Sequence, residues 1–545
     1  MKNRRSPFAL LFAALLLSGC SSLFLKDPKA FGIQSYPEQR LFKAGDAGGA
    51  AYWRIPSLIN TQKGTLIAAI DKHWQHNGDW GDNDTAIRIS HDQGKSWSEI
   101  RTIINLVSQQ TRNAPILKPK QRKGFWDTEP YMNSAFTIDP VLLQDGRNHR
   151  IFMAVDMFPE SRGFFSINNP AGNGNGHLRP QNKDYLRLNR PDKTVWTLRE
   201  NGEVFDDLGN KTDYRVITEG DPRIAFRDLG DIYQHQVKLG NIYLKISGSN
   251  ANAPFTITQT SYLWLLHSDD EGKNWSSPRD ITAQVKKPWM RFLGTAPGIG
   301  IQTQKGDLIF PVYYTNENSA QSPALIISQD GGNTWQLGPS PNDSRSDFAE
   351  KGWNSRTMKK YLNKRNVELS ESQVVELPNG DLKLFMRNGI GKVMVATSKT
   401  GGFSWLPELE QIDELNNPHS QISVLKYSHQ IDGKTYILFS GPSETEHEAN
   451  GRRNGKLFLG EVTPEGDIEW DEDRNKTIIS NGNGGIYSNG YAYSVMAELN
   501  DGKIGLLYEN TTHHTSVVYQ PIEMQEFFWK EGKILRNNKT RPFDD

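Results

Sequence analysis

Apolar residues along this chain come in short runs, broken every few positions by glycine, asparagine or aspartate. Six runs directly follow a turn glycine: 65–71 after Gly64, 147–156 after Gly146, 307–314 after Gly306, 381–387 after Gly380, 434–440 after Gly433 and 503–509 after Gly502. Another short apolar run precedes each, among them IPSLI (55–59), DPVLL (139–143), SQVVEL (372–377), ISVLKY (422–427) and SVMAEL (494–499). Asn379-Gly380, Asp432-Gly433 and Asp501-Gly502 are hairpin-type dipeptides. Runs of this length between such turns predict antiparallel β-hairpins.

A second repeat follows several hairpins. SHDQGKSW (Ser90–Trp97), SDDEGKNW (Ser268–Trp275) and SQDGGNTW (Ser328–Trp335) share one pattern, and SKTGGFSW (Ser398–Trp405) is a copy without the aspartate. These segments resemble the Asp box of sialidases and other β-propellers. Their Asp and Gly suit a tight turn and their Trp suits packing between blades, so we read them as structural. Six such repeats closing on themselves predict an all-β, six-bladed β-propeller, which leaves no long exposed sheet edge.

One interval is too long for a plain blade. From Gly146 to Ser268 is 122 residues, where the other box-bearing blades need 18 to 26. About 100 residues, near 157–258, are therefore expected as an insertion in the second blade. It is itself β-like, with an Asn201-Gly202 hairpin and LGNIYLKI (239–246) reading as a strand.

Charge narrows the function classes. The chain has 545 residues with 63 Lys+Arg against 63 Asp+Glu, a balance that lacks the basic footprint of a nucleic-acid binder. Its 14 Trp, 18 Tyr and 24 Phe argue for folded rather than disordered structure. A single cysteine excludes an intrachain disulfide framework and a cysteine-rich zinc site. That cysteine, Cys20, follows Lys2, Arg4, Arg5 and an apolar run from Phe8 to Leu17, which is too short to span a bilayer but suits a secretory signal. The arrangement resembles a bacterial lipoprotein signal. It implies a signal peptide over 1–19, lipidation at Cys20, a tether over 20–40 and a propeller over 41–545, held at the bacterial cell envelope as an outer-membrane lipoprotein.

The hairpin arithmetic also gathers charged residues. An antiparallel hairpin brings the start of its first strand beside the end of its second. Arg54, Asp139, Glu371 and Tyr493 lie seven to ten residues before their turn glycines, Arg387 ends the strand paired with that of Glu371, and Asp79 follows the Arg54 hairpin. All six should share one rim of the central funnel.

At these residues the chain resembles the bacterial sialidases, over nearly its whole length. YWRIPSLI (52–59) is similar to their Arg-Ile-Pro motif, and NGDWGDNDTAIRIS (77–90) to their acid/base loop. ESQVVELPNGDLKLFMRN (371–388) and YAYSVM (491–496) are similar to their Glu/Arg hairpin and tyrosine. The resemblance implies an exo-α-sialidase of the larger, insertion-containing type. Arg54, Arg387 and a third arginine within ETEHEANGRRNGKLFLG would grip the substrate carboxylate; Arg452 fits best, with Arg453 the alternative. Tyr493 would be the nucleophile and Glu371 its base, because a neutral phenol is not repelled by the substrate's own carboxylate. Asp79 would serve as general acid and then base. Asp139 would bond to a substrate hydroxyl or amide, and Phe164 and Phe165 would line an acetamido pocket. No cofactor or metal is called for, the expected partners are sialylated glycans, and the expected state is a monomer.

Competitors exist at several positions: Asp82 and Asp84 for Asp79, Tyr487 and Tyr491 for Tyr493, Glu368 for Glu371. Where many sialidases carry an arginine shortly before the acid/base aspartate, this chain has Asp71-Lys72-His73, so Lys72 or His73 would have to replace that contact. An intramolecular trans-sialidase would keep every catalytic residue. A non-catalytic glycan-binding propeller would have no reason to combine Asp79, Glu371 and Tyr493, and a hydrolase for neutral polysaccharides would not need three arginines.

Overall fold

The computed structural model describes residues 36–109, 121–122, 125–126, 133–160, 174–359, 368–444, 451–478, 490–510, 516–530, 533–536 and 539–541. Six antiparallel sheets form the blades of a propeller. Blade 1 runs from Tyr52–Asn60 outward to Arg101–Ile104, blade 2 from Phe136–Gln144 to Arg279–Asp280, and blade 3 from Phe292–Thr295 to Gln336–Leu337. Blade 4 runs from Leu369–Glu376 to Glu410–Asn416 and blade 5 from Ser423–Lys426 to Ile468–Ile478. Blade 6 uses Ser494–Glu498, Ile504–Asn510 and Ser516–Ile522, and takes its outermost strand, Gln39–Phe42, from the other end of the chain.

The turn glycines explain the hairpins. Gly64, Gly306, Gly380, Gly433 and Gly502 all adopt positive φ, a region open to glycine at little steric cost. The second blade departs from this, because its turn at Asp145–Arg150 is longer and His149 carries the positive φ.

The boxes are structural turns, and each seals a seam. In the third box Ser328 Oγ donates to Asp330 and accepts the Gly332 N–H, while Asp330 accepts the Thr334 N–H at 2.9 Å. In the fourth copy Thr400 takes the place of the aspartate and bonds to Ser404 Oγ at 2.8 Å. A side chain at Gly272 would strike Ile67 and Ile89 of blade 1, and one at Gly332 would strike Phe152 of blade 2. Each box thus lies on its neighbour. Arg101 of blade 1 donates to the carbonyls of Gly272 and Lys273, and Arg279 of blade 2 repeats this at Gly332 and Asn333.

Between the second and third strands of blade 2 lies an eight-stranded sheet, from His177–Leu178 to Val237–Asn241, with Thr256–Ile257 pairing back onto Tyr185–Asn189. The Asn201-Gly202 turn is present, with both residues at positive φ. The strand expected over 239–246 stops at Asn241. There the Asn241 side chain accepts the Tyr243 N–H at 2.9 Å and donates to the Leu229 carbonyl at 2.7 Å, turning the chain so that Ile242 and Tyr243 enter the core. That core is continuous with blade 2, where Met157, Tyr262 and Trp264 meet Leu188, Phe255 and Ile257 of the insertion.

Candidate active site

Four hairpins place charged or phenolic residues on corresponding rungs at one mouth. In two of them, Glu371 with Arg387 and Tyr493 with Glu509, the partners lie sixteen residues apart. Arg54 pairs with Asp71 across its hairpin, and Asp156 sits opposite Ile138, next to Asp139. Both of the latter first strands carry a bulge just before a proline, at Ile55-Pro56 and Asp139-Pro140. Ile55 at φ 61° and Asp139 at φ 60° are unusual conformations for residues with side chains. Each is held by a buried carboxylate. Glu509 accepts the Ile55 N–H at 2.7 Å, and Asp71 accepts the Asp139 N–H at 3.1 Å. The bulges re-aim Arg54 and Asp139 towards the mouth.

At the centre is Tyr493, only 5% exposed. Its hydroxyl donates to Glu371 Oε1 at 2.7 Å and accepts from Arg387 Nη1 at 2.9 Å, while Arg387 also ion-pairs with Glu371. The guanidinium carbons of Arg452 and Arg54 lie 5.4 and 5.8 Å from the phenol ring centroid. Burial, and then the charge of Glu371, push the Tyr493 phenol well above its ordinary value, with the three arginines pulling the other way. A phenol raised in this way keeps its proton while it donates to Glu371.

The arginines differ in their partners. Arg54 is bonded to Asp79 at 2.8 Å, to the Asn77 carbonyl at 2.9 Å, and lies 3.6 Å from Glu509. Burial opposes its charge, but Glu509 and Asp79 outweigh burial and raise its pKa. Arg387 is likewise raised by Glu371 and Tyr493 against burial. Arg452 donates to the His419 carbonyl at 3.0 Å and meets no carboxylate among the described residues. Burial lowers its pKa, and the nearby charges of Arg387 and Arg54 add to this. The Nε atoms of Arg387 and Arg452 are buried without a hydrogen-bond partner among the described residues. Three converging guanidiniums, two with such orphan donors, make a seat for a carboxylate.

Asp79, on the loop after strand Leu66–His73, has the most open side chain of the catalytic candidates, at 34%. Asp139 is buried, and its carboxyl is pushed well up, first by desolvation and then by Asp156 and Asp71. Its backbone carbonyl accepts from Thr295 Oγ1 at 2.7 Å.

Several of the competitors fall elsewhere. Tyr491 is buried, bonded to Ser440 Oγ at 2.6 Å and stacked on Tyr508. Glu368 accepts the Gln321 N–H at a blade seam. Asp84 accepts from the Trp74 indole at 2.8 Å. Arg453 leaves the cluster around Tyr493 to Arg452, its own backbone bridging to Gly490. Lys72 points away, over the Trp74 ring and towards Thr102, whereas His73 lies on the side of Arg54. Phe164, Phe165, Tyr487 and Cys20 lie outside the described residues. Glu509 and His419 are new to the site. The sixteen-residue spacing that pairs Glu371 with Arg387 would have found Glu509 from Tyr493; nothing in the sequence marks His419.

A family model described as a BNR repeat-like domain matches residues 239–506. The chain is 31% identical to the anhydrosialidase of Macrobdella decora over 88% of its own length and 60% of that protein's. It is 26% identical to sialidase B of Streptococcus pneumoniae, covering 90% of this chain and 67% of that one. Among solved structures, the intramolecular trans-sialidase from Ruminococcus gnavus in complex with oseltamivir carboxylate superposes with a TM-score of 0.71 at 27% identity, over 92% of this chain and 99% of that one.

Proposed function

We propose that this chain is a sialidase that releases terminal sialic acid from glycans as a retaining, exo-acting glycoside hydrolase with Tyr493 as nucleophile. The observation that carries this reading is the 2.7 Å hydrogen bond from Tyr493 to Glu371 inside a ring of three arginines. A phenol paired with a base, beside a carboxylate seat, suits a substrate that bears its carboxylate on the anomeric carbon.

In this reading the substrate carboxylate settles on Arg54, Arg387 and Arg452 and displaces Asp79 from Arg54. Asp79 then protonates the leaving glycosidic oxygen while Glu371 takes the Tyr493 proton and the phenolic oxygen bonds to the anomeric carbon. In the second step Asp79 takes a proton from water, water attacks that carbon, and Tyr493 regains its proton from Glu371. Two inversions give retention.

The likeness to an anhydrosialidase and an intramolecular trans-sialidase favours a second reading. There a hydroxyl of the sugar itself, rather than water, attacks the tyrosine-linked carbon, and Asp79 takes the hydroxyl's proton. The two readings share every residue named and differ in the product. Proton NMR of α2,3-sialyllactose with the full chain separates them: free sialic acid appearing first as the α-anomer supports retaining hydrolysis, and an anhydro sugar supports the second. Release of the β-anomer first would overturn the tyrosine mechanism. We further propose that the chain is anchored at the outer membrane through acylated Cys20 and acts as a monomer; metabolic labelling with a fatty-acid analogue, lost in Cys20→Ser, tests the anchor.

A further inference from the structure

Two of the three arginines at the mouth meet on one residue. Arg452 Nη2 donates to the His419 carbonyl at 3.0 Å, and the His419 ring places Nδ1 3.4 Å from Arg387 Nη2. A guanidinium has no acceptor, so this ring nitrogen offers its lone pair and the ring proton sits on Nε2. His419 lies on the link from the last strand of blade 4, Glu410–Asn416, to the first of blade 5, Ser423–Lys426. Arg387 lies near the end of the second strand of blade 4, Leu382–Asn388, and Arg452 shortly before the third strand of blade 5, Gly455–Val462.

The link is shaped to hold that residue. His419 has a φ of 55°, in the left-handed region that residues with side chains rarely adopt. Its N–H donates to the Asn417 carbonyl at 2.8 Å across Pro418, whose ring fixes the intervening φ. The Asn417 side chain accepts the Ser420 N–H at 2.7 Å, and the Asn417 N–H donates to the Gly391 carbonyl at 2.9 Å. Bonds on both sides thus clamp a strained residue whose carbonyl serves one arginine and whose ring serves the other.

The chemistry of these contacts separates His419 from the other partners of the arginines. Asp79 and Glu509 hold Arg54, and Glu371 holds Arg387, through carboxylates that offset the charge they orient. A carbonyl and a neutral imidazole nitrogen orient a guanidinium without cancelling its charge. On Arg387 the two kinds of contact divide the fork: Glu371 and the Tyr493 hydroxyl meet Nη1, and His419 meets Nη2. Held at both ends, that guanidinium keeps one plane, and with Arg452 tied to the same residue the two forks stand in a fixed relation before a ligand arrives. We propose that His419 is a positioning residue for substrate recognition, which sets Arg387 and Arg452 as one preformed carboxylate seat. The inference rests on the carboxylate-binding role given above to the three arginines.

Titration calorimetry on the full chain tests this with the glycal of sialic acid and the methyl ester of that glycal, a pair that differs only at the carboxylate. The parent is expected to bind the acid in clear preference to the ester. His419→Gly removes the ring and suits the positive φ, so affinity for the acid should fall about tenfold, the low end for losing a hydrogen bond to a charged group, while the ester is unaffected. His419→Asn keeps an acceptor and tolerates the left-handed turn, so it should recover part of that loss. With an aryl sialoside, His419→Gly should raise KM by about tenfold with little change in kcat, thermal unfolding serving as the control for folding. A residue that only supported the fold would lower the melting temperature and leave the preference for the acid intact. No preference for the acid in the parent would overturn the seat and this proposal with it. A preference undiminished in His419→Gly, or kcat falling with KM unchanged, would overturn the role of His419 and leave the seat standing.

Discussion

Tyr493 and Glu371 share a 2.7 Å hydrogen bond although they belong to blades that do not adjoin, with the whole of blade 5 between them. Only the closed ring brings them together. Neither blade alone holds both residues.

Removing either partner should disable the same step. Glu371→Gln is expected to lower kcat by about 10²–10⁴-fold, the usual range for losing a positioned base. Tyr493→Phe should cost at least as much, and the double variant should be little worse than Tyr493→Phe alone, because the two act as a unit. Steady-state kinetics on an aryl sialoside, with thermal unfolding as the control for folding, checks this.

The arginines should separate by parameter. Arg452 has no carboxylate partner among the described residues, so Arg452→Ala should raise KM by roughly 10–100-fold, the worth of a charged hydrogen bond, with little change in kcat. Arg387 also bonds to the Tyr493 hydroxyl and to Glu371, so Arg387→Ala should lower kcat as well. Arg453→Ala should leave both parameters near the parent values.

Glu509 holds Arg54 and the strained Ile55 together. Glu509→Gln should raise KM through Arg54 and lower the melting temperature, since breaking a buried ion pair costs about 3–5 kcal/mol. A change in KM without loss of stability would show that Ile55 is held by other means.

Beneath the mouth lie Asp71, Asp139 and Asp156, each pushed well above the ordinary carboxyl range, chiefly by desolvation. A carboxyl raised in the folded state contributes most stability below its unfolded pKa, near 4, and loses it as pH rises through the folded value. Lys286, which faces Asp156, is lowered to about 7 and acts in a higher window, where stability instead rises with pH. Asp156→Asn should therefore melt progressively higher than the parent as pH is raised from 5 to 7, read by thermal unfolding across that series.

The boxes should affect stability alone. Asp330→Ala removes the acceptor for the Thr334 N–H and should cost about 1–2 kcal/mol, as loss of a comparable cap does, while kcat and KM stay unchanged.

What the sequence disclosed followed hairpin geometry. The turn glycines placed Glu371 beside Arg387, and the same spacing holds for Tyr493 and Glu509. Asp71 and Asp156 were harder to see, because a lone acid at a strand end has no local signature of holding a backbone N–H or a neighbouring blade. The resemblance favours Arg452 over Arg453 already in the sequence, and the 5.4 Å from its guanidinium to the Tyr493 ring, 41 positions away in the chain, is in keeping with that preference. The strand expected at 239–246 failed at Asn241, whose side chain competes with the ladder for backbone partners.

The strand Gln39–Phe42 is the outermost strand of the last blade and pairs with Ser516–Ile522, which pairs in turn with the strand that carries Glu509. Until Gln39–Phe42 pairs there, the sheet that contains Glu509 keeps an open edge. Cleavage just beyond Phe42 would uncover that sheet as well as shorten the chain. Closure of the ring thus rests on a pairing between segments 480 positions apart, Gln39 with Tyr519.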